Sequence, residues 1–308
     1  MSTAKRIVLG TRGSMLARWQ AGFVAQALRA AHPGLIVDEK IIVTEGDRLS
    51  SGPLWNAGGK GLWVKEIEAA LLAGEIDLAV HSMKDVPGEL AEGLALVAVP
   101  ARADVRDAVV SRSGITLDQL PASARLGTTS LRRACQLKAF RSDFHIEILR
   151  GNLDTRLRKV AEGVVDAAIL ACAGLDRLAF ADRIAERLSI ERMLPAVGQG
   201  ALAIEARTDD EGVGTLTAAL NHQETVLAVA AERAFLARLG ASCRTPVAGY
   251  AQLVGGQVVL RGLVGRSDGT QLIADMIAGD PKRAEELGIA LADTLLARGA
   301  GAILAECT

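Results

Sequence analysis

The chain has 308 residues, 50% hydrophobic, 23% charged and 3% aromatic, a composition that suits a soluble globular protein of two or three domains and excludes fibrous, disordered and membrane-embedded classes. Its 35 Lys and Arg against 36 Asp and Glu leave a formal charge of -1, so nothing global points to nucleic acid or a membrane surface. Cys135, Cys172, Cys243 and Cys307 form no CxxC, and the four histidines show neither HExxH nor a Cys/His ligand spacing, so neither disulfides nor a metal site is expected.

The N-terminal MSTAKRIVLGTRGS lacks an apolar core of signal-peptide length, and no later apolar run reaches ~18 residues without charge, so the cytoplasm is the expected location. RIVL (6–9) reads as a strand leading to a helix from about Ser14 to Ala31, where Met15, Leu16, Trp19, Phe23, Ala27 and Leu28 recur at helical spacing. A strand around Ile36–Val43, a helix around Leu62–Ala73 and an apolar strand Ile76–Val80 follow, which is βαβ architecture. A second α/β series runs through DAVVS (107–111), RLGTTS (125–130), a helix Leu131–Phe140, HIEIL (145–149), a helix over 153–162 and VVDAAILA (164–171). The turn LPAVGQG (194–200) leads to a strand ALAIEAR (201–207). A helix over 222–239, strands within VAGYAQLVGGQVVLRGLVG with a hairpin at Gly255–Gly256, and a final helix over 282–298 describe a third, α+β domain with an antiparallel sheet.

Residues 44–61, TEGDRLSSGPLWNAGGKG, carry five glycines and little apolar periodicity. A connection longer than ~12–15 residues is unusual, and it reads either as a lid over a cleft or as a passive surface loop; Trp55, Asp47, Arg48 and Lys60 favour contact with a ligand. GGKG within it is not a phosphate loop, because Leu62 stands where Ser or Thr is needed and no glycine precedes Gly59 by five residues.

Polar chemistry gathers at strand ends. After Ile76–Val80 the chain presents His81, Ser82, Lys84 and Asp85 before Pro87 blocks further pairing, and ligands in open α/β sheets bind just beyond such ends. Lys84 and Asp85 are therefore a candidate reaction centre, or an ordinary solvated turn. Three strand-to-helix junctions carry arginine: Arg12 with Ser14, Arg132 and Arg133 after Thr128, Thr129 and Ser130, and Arg150 with Arg156. Cations at the positive end of a helix dipole break a local rule, and an anion held by helix N–H groups, hydroxyls and guanidinium forks would compensate. Residues 125–160 hold nine Lys or Arg against three acids, +6 in a chain of -1, without interleaved aromatics, which fits a small polycarboxylate or phosphate better than nucleic acid. Cys243, in the small-residue loop LGASCRTP beside Arg244, is the thiol with most nucleophilic character, while Cys135 and Cys172 read as core packing.

Taken together, HSMKDVP (81–87), GTTSLRRACQL (127–137), LRGNLDTRL (149–157), LPAVGQGALAIEAR (194–207) and the Cys243 loop resemble the porphobilinogen deaminase (hydroxymethylbilane synthase) family over nearly the whole chain. The resemblance implies two α/β domains like type II periplasmic binding proteins around a cleft, and a smaller α+β domain with an antiparallel sheet. The implied domains are 1–100 plus 200–218, 101–199 and 219–308. It implies a monomeric transferase that condenses four porphobilinogen molecules head to tail with loss of ammonia and releases hydroxymethylbilane, with neither nucleic acid nor membrane as partner. Cys243 would hold a dipyrromethane cofactor by a thioether, and Asp85 would be the catalytic carboxylate. Arg12, Ser14, Lys60, Ser82, Lys84, Thr129, Ser130, Arg132, Arg133, Arg150, Arg156 and Arg177 match positions that bind cofactor or substrate. Two departures bear on local geometry: Asn56 stands where many bacterial members have Lys, and Ala241–Ser242 replace two glycines ahead of the cysteine. The competing class is a non-catalytic anion receptor, which leaves the loop cysteine of a third domain unexplained.

Overall fold

The computed structural model describes residues 5–48, 63–242 and 245–306, and contacts group them into two units, the first from residues 5–48, 63–102 and 201–226, the second from 103–200 and 227–306. The early elements are β1 (Arg6–Thr11), α1 (Met15–Ala31), β2 (Ile36–Ile41), α2 (Glu45–Arg48), α3 (Lys65–Leu72), β3 (Leu78–Ser82) and β4 (Leu94–Ala98). There follow β5 (Asp107–Ser111), β6 (Arg125–Gly127), α4 (Leu131–Phe140), β7 (His145–Glu147), α5 (Leu153–Ala161), β8 (Ala167–Ala171), α6 (Cys172–Arg177) and β9 (Glu186–Arg187). The chain ends with β10 (Leu202–Arg207), α7 (Glu211–Ala218), α8 (Gln223–Arg238), β11 (Val247–Val254), β12 (Gln257–Gly265), β13 (Leu272–Gly279), α9 (Ala284–Leu295) and α10 (Gly301–Ala305).

The first unit is a mixed sheet in the order β2-β1-β3-β10-β4, with β1 parallel to both its neighbours and β10 antiparallel to both of its own. One face takes the apolar stripe of α1 (Ala21, Val24, Ala25, Leu28) against Leu9, Leu78, Val80, Leu202 and Ile204. The other takes Ile67, Ala70 and Leu71 of α3 against Ile76, Ala79 and Leu94. Burial on both faces explains why β3 and β10 read as continuous apolar runs instead of alternating ones.

The second unit repeats the plan as β7-β6-β8-β5-β9, where β6 is parallel to both neighbours and β5 antiparallel to β8. In the same unit β11, β12 and β13 form an antiparallel sheet, joined between its first two strands by Gly255 and Gly256, both at positive φ. Its core of Phe235, Val258, Leu260, Leu291 and Leu295 lies under α8 and α9. The contact of these helices is close: a Cβ on Gly288 would stand 2.2 Å from the Ala231 carbonyl oxygen.

Several boundaries differ from the sequence reading. β3 begins at Leu78, two residues late, because the Asp77 carboxylate takes the Val8 N–H (2.7 Å) and the Ile76 carbonyl takes an Arg207 N–H (2.8 Å), so this stretch is tied by side chains. It continues through His81 and Ser82 because β10 pairs with both. Elements not expected were α2, β4, α6, β9, α7, β13 and α10.

Candidate active site

Ser14 caps α1, its hydroxyl accepting from the Ala17 N–H at 3.3 Å, so the chain leaves β1 through Arg12 and enters the helix within three residues. Arg12 lies under two restraints. Its guanidinium grips both oxygens of Asp47 in a fork, with Nε at 3.1 and 3.2 Å, and stacks 4.0 Å from the centre of the Trp63 ring. Burial pushes the Asp47 carboxyl up, but the Arg12 contacts and the Thr44 bonds (Oγ1 at 2.8 Å) outweigh it and hold it below the usual range.

Beyond β3 the chain makes a 3₁₀ turn over Met83–Asp85. Pro87 confines Val86 to extended backbone (φ -77°, ψ 129°), and Met83 and Val86, three apart, are both buried, which turns Lys84 and Asp85 outward. Ser82 is fixed by Gln20, whose amide donates to its hydroxyl at 2.9 Å. A small pocket results, lined by Arg12, Ser14, Gln20, Trp63, Ser82 and Asp85. A carboxylate, a guanidinium and two hydroxyls thus face one space at the carboxyl ends of adjacent parallel strands.

In the second unit Ser130 caps α4 and accepts from the Arg133 N–H at 3.4 Å. Arg132 and Arg133 in the first turn are almost wholly buried, and the anion that compensates them is internal. Asp107, fully buried on β5, accepts from Arg132 Nη1 (2.8 Å), from Arg133 Nε (3.1 Å) and Nη2 (2.7 Å), and from Gln199 Nε2 (3.0 Å). Burial alone would raise the Asp107 carboxyl; the two guanidinium groups overcome it and hold it far below the ordinary range. Arg132 Nη1 also donates to the Leu194 carbonyl at 2.7 Å, at the start of the turn that leads to β10.

The remaining arginines stand near backbone carbonyls. Arg156 Nε donates to Gly151 O (2.8 Å), and Arg177 Nη2 to Gly200 O (2.7 Å), where burial lowers the Arg177 guanidinium to about 10. Gly200 has φ +87°, and a Cβ there would lie 2.6 Å from the Ala103 carbonyl oxygen, so only glycine fits this turn. Arg150 and Thr129 are half-buried. Cys135 and Cys172 are fully buried, as expected, and burial pushes the Cys172 thiol up to about 12. Lys60, Asn56 and Cys243 lie outside the described residues. Asp47 was singled out in the sequence as a ligand contact and stands beside the pocket as the partner of Arg12, whereas Trp63, Gln20, Asp107 and Gln199 escaped the sequence reading. The one available signal was Asp107, an acid opening the apolar run DAVVS, which a strand tolerates when a cation meets it.

A strand-end carboxylate shares a polar pocket with a guanidinium, beside a lysine on the same turn, an arrangement whose chemistry suits a small enzyme substrate that is both anionic and a hydrogen-bond donor. Residues 7–215 match the family model described as porphobilinogen deaminase, dipyromethane cofactor binding domain, and residues 226–297 that of the porphobilinogen deaminase C-terminal domain. A porphobilinogen deaminase of Geobacter metallireducens is 50% identical over 302 residues, 98% of this chain and 95% of that protein. Among solved structures, a periplasmic binding protein of Salmonella typhimurium with high arginine specificity is 14% identical over 70% of this chain and 92% of its own (TM-score 0.41). A probable amino-acid transporter extracellular-binding protein of Bacillus subtilis is 12% identical over 71% and 91% (TM-score 0.39). The chain belongs to the porphobilinogen deaminase family. Its activity is that of a transferase of tetrapyrrole biosynthesis, which condenses porphobilinogen with a dipyrromethane cofactor.

Proposed function

We propose that Asp85 is the catalytic carboxylate and that Cys243 carries the dipyrromethane by a thioether. The observation that carries this reading is the Met83–Asp85 turn, which presents Asp85 to the pocket shared with Arg12, Ser14 and Ser82. That donor set suits the group: a guanidinium and hydroxyls for acetate and propionate side chains, a carboxylate for pyrrole N–H. When bound, the cofactor would supply the free pyrrole carbon that the first porphobilinogen joins, each later unit joining the one before it. Asp85 accepts hydrogen bonds from pyrrole N–H groups and stabilises the positive charge that develops on porphobilinogen as ammonia leaves, with little reorganisation because Met83 and Val86 anchor its turn. Lys84, Arg12, Ser14 and Ser82 hold carboxylates and orient the ring. Lys60, Thr129, Ser130, Arg150, Arg156 and Arg177 extend the same role to a longer chain, and Arg132 and Arg133 join them through the groups that Asp107 does not engage. A three-domain partition at 1–100 plus 200–218, 101–199 and 219–308, a monomeric state and a cytoplasmic location complete the proposal.

The test is intact mass with bilane production on two purified variants. Cys243→Ala should fold without the mass of two condensed pyrrole units, because a methyl group supplies no nucleophile. Asp85→Asn should keep that mass when supplied with preassembled tetrapyrrole and lose most turnover. An adduct on Cys243→Ala, or an active Asp85→Asn, overturns the assignment.

A further inference from the structure

Behind the Asp85 turn, on the sheet face covered by α3, lies a buried polar cluster that carboxylate binding does not require. His81 and Glu205 are 6% and 0% exposed. They sit on the antiparallel strands β3 and β10, where Ala203 pairs with His81 and Ala79 with Glu205, so the two side chains are diagonal neighbours on one face. His81 Nε2 lies 2.9 Å from Glu205 Oε2. Between Ile204 and Glu205 the pairing of β10 with β4 shifts register, with Val97 of β4 as the extra residue, while the pairing of β10 with β3 stays regular through Glu205.

The surroundings leave Glu205 few other uses. Its second oxygen, Oε1, is buried with no hydrogen-bond partner among the described residues, and so is Oε1 of Glu68 on α3. Burial first, and the Glu205 charge second, raise the Glu68 carboxyl. Arg207, two residues along β10, is committed to the carbonyls of Leu71 and Ile76 at 2.8 Å each and to Asp210 at 2.9 Å. Glu66, the other acid on the inner side of α3, takes the Glu45 N–H at 2.7 Å, and β4 brings no charge. A buried carboxylate is costly unless well paired, and here its named side-chain partner is the imidazole that immediately precedes Ser82.

We propose that Glu205 is a positioning residue for the reaction, acting through His81. Its carboxylate accepts the His81 Nε2–H, and this bond fixes the last residues of β3 and thereby the turn that carries Lys84 and Asp85. Two further links tie the same segment to the same strand: the Leu202–Ser82 pairing and the Met83 N–H to the Ala201 carbonyl at 3.1 Å. The ladder sets the height of the turn. The His81–Glu205 bond sets the rotation of the strand end about its own axis, to which an outward-facing Asp85 is sensitive, since small misplacements of a reacting group cost far more rate than affinity.

The experiment uses the cofactor-loaded enzyme and has two arms. In ¹⁵N-labelled wild-type protein the His81 ring signal, identified by its loss in His81→Asn, should show a proton on Nε2 that exchanges slowly with water. A rapidly exchanging or absent Nε2 proton overturns the proposal without any Glu205 variant having to fold. In the second arm, Glu205→Ala should lower kcat by about tenfold or more with KM changed less than about twofold and the cofactor mass retained. Glu205→Gln, whose amide oxygen still accepts from Nε2, should recover most of that loss. A folded Glu205→Ala enzyme with wild-type kcat, or a Glu205→Gln enzyme as slow as Glu205→Ala, overturns it.

Discussion

The two mixed sheets place arginine at matching junctions, after β1 and after β6, and use it in opposite ways. Each of these strands is parallel to both neighbours, and each feeds a helix capped by serine, Ser14 in one case and Ser130 in the other. Arg12 stands ahead of its cap and reaches a partly exposed aspartate beside a pocket. Arg132 and Arg133 stand behind theirs, where side chains of the first turn slope back over the strand ends, and they close on a fully buried one. A cation at a helix start thus meets a carboxylate of the chain in both places, partly exposed beside a pocket at the first junction and fully buried at the second.

That contrast fixes the order of expected effects. The largest belongs to Asp107. Asp107→Ala leaves two buried guanidinium groups uncompensated and should cost about 3–5 kcal/mol of stability, read from denaturant midpoints at constant slope. Because the folded-state carboxyl is depressed, its contribution is present above the unfolded value of about 3.9 and lost as pH falls through the folded value. The gap between wild type and Asp107→Asn should therefore narrow below about pH 4. If it widens on acidification, the brace is wrongly assigned.

Next comes Asp85→Asn, which should lower kcat by about 10²–10³. Its denaturation midpoint should match the wild type, which separates a group facing substrate from one facing the core. Arg12→Leu ranks third. It removes one charge-assisted contact, worth about 1.5–3 kcal/mol, and should appear in kcat/KM or in cofactor assembly with stability nearly unchanged. A stability loss as large as that of Asp107→Ala would mean that both junctions are braces. The smallest effect is that of Ser14→Ala, about 1 kcal/mol of stability from the lost helix cap, measured by thermal melting.

The sequence carried most of the architecture because local signals agreed with it. Helix α4 was legible end to end: Ser130 caps it, Leu131 and Cys135 share one face, and Arg141 ends it. Asp85 and Lys84 were legible because a change of polarity after an apolar strand needs no knowledge of neighbours. β4 and β13 were not, since LALVA is short and LIADMIAG lacks a clean alternation, and each exists by pairing with another strand, β4 with β10 and β13 with β12. Asp107 against Arg132, twenty-five residues apart, leaves no trace in periodicity. Neither does Glu205 against His81, because β3 and β10 meet only after the whole second mixed sheet has been written into the chain.

That separation has a consequence during synthesis. β4 hydrogen-bonds to the rest of its sheet through β10, whose residues leave the ribosome about a hundred positions later, some five to twenty seconds at ~5–20 residues per second. Throughout that interval β3 is an unprotected apolar edge and Asp85 hangs from a strand with one side unpaired, while every strand of the β7-β6-β8-β5-β9 sheet emerges before β10 does. The later-encoded sheet is thus the first that can finish, and a nascent chain halted before residue 202 should expose β3 to chaperones or to aggregation.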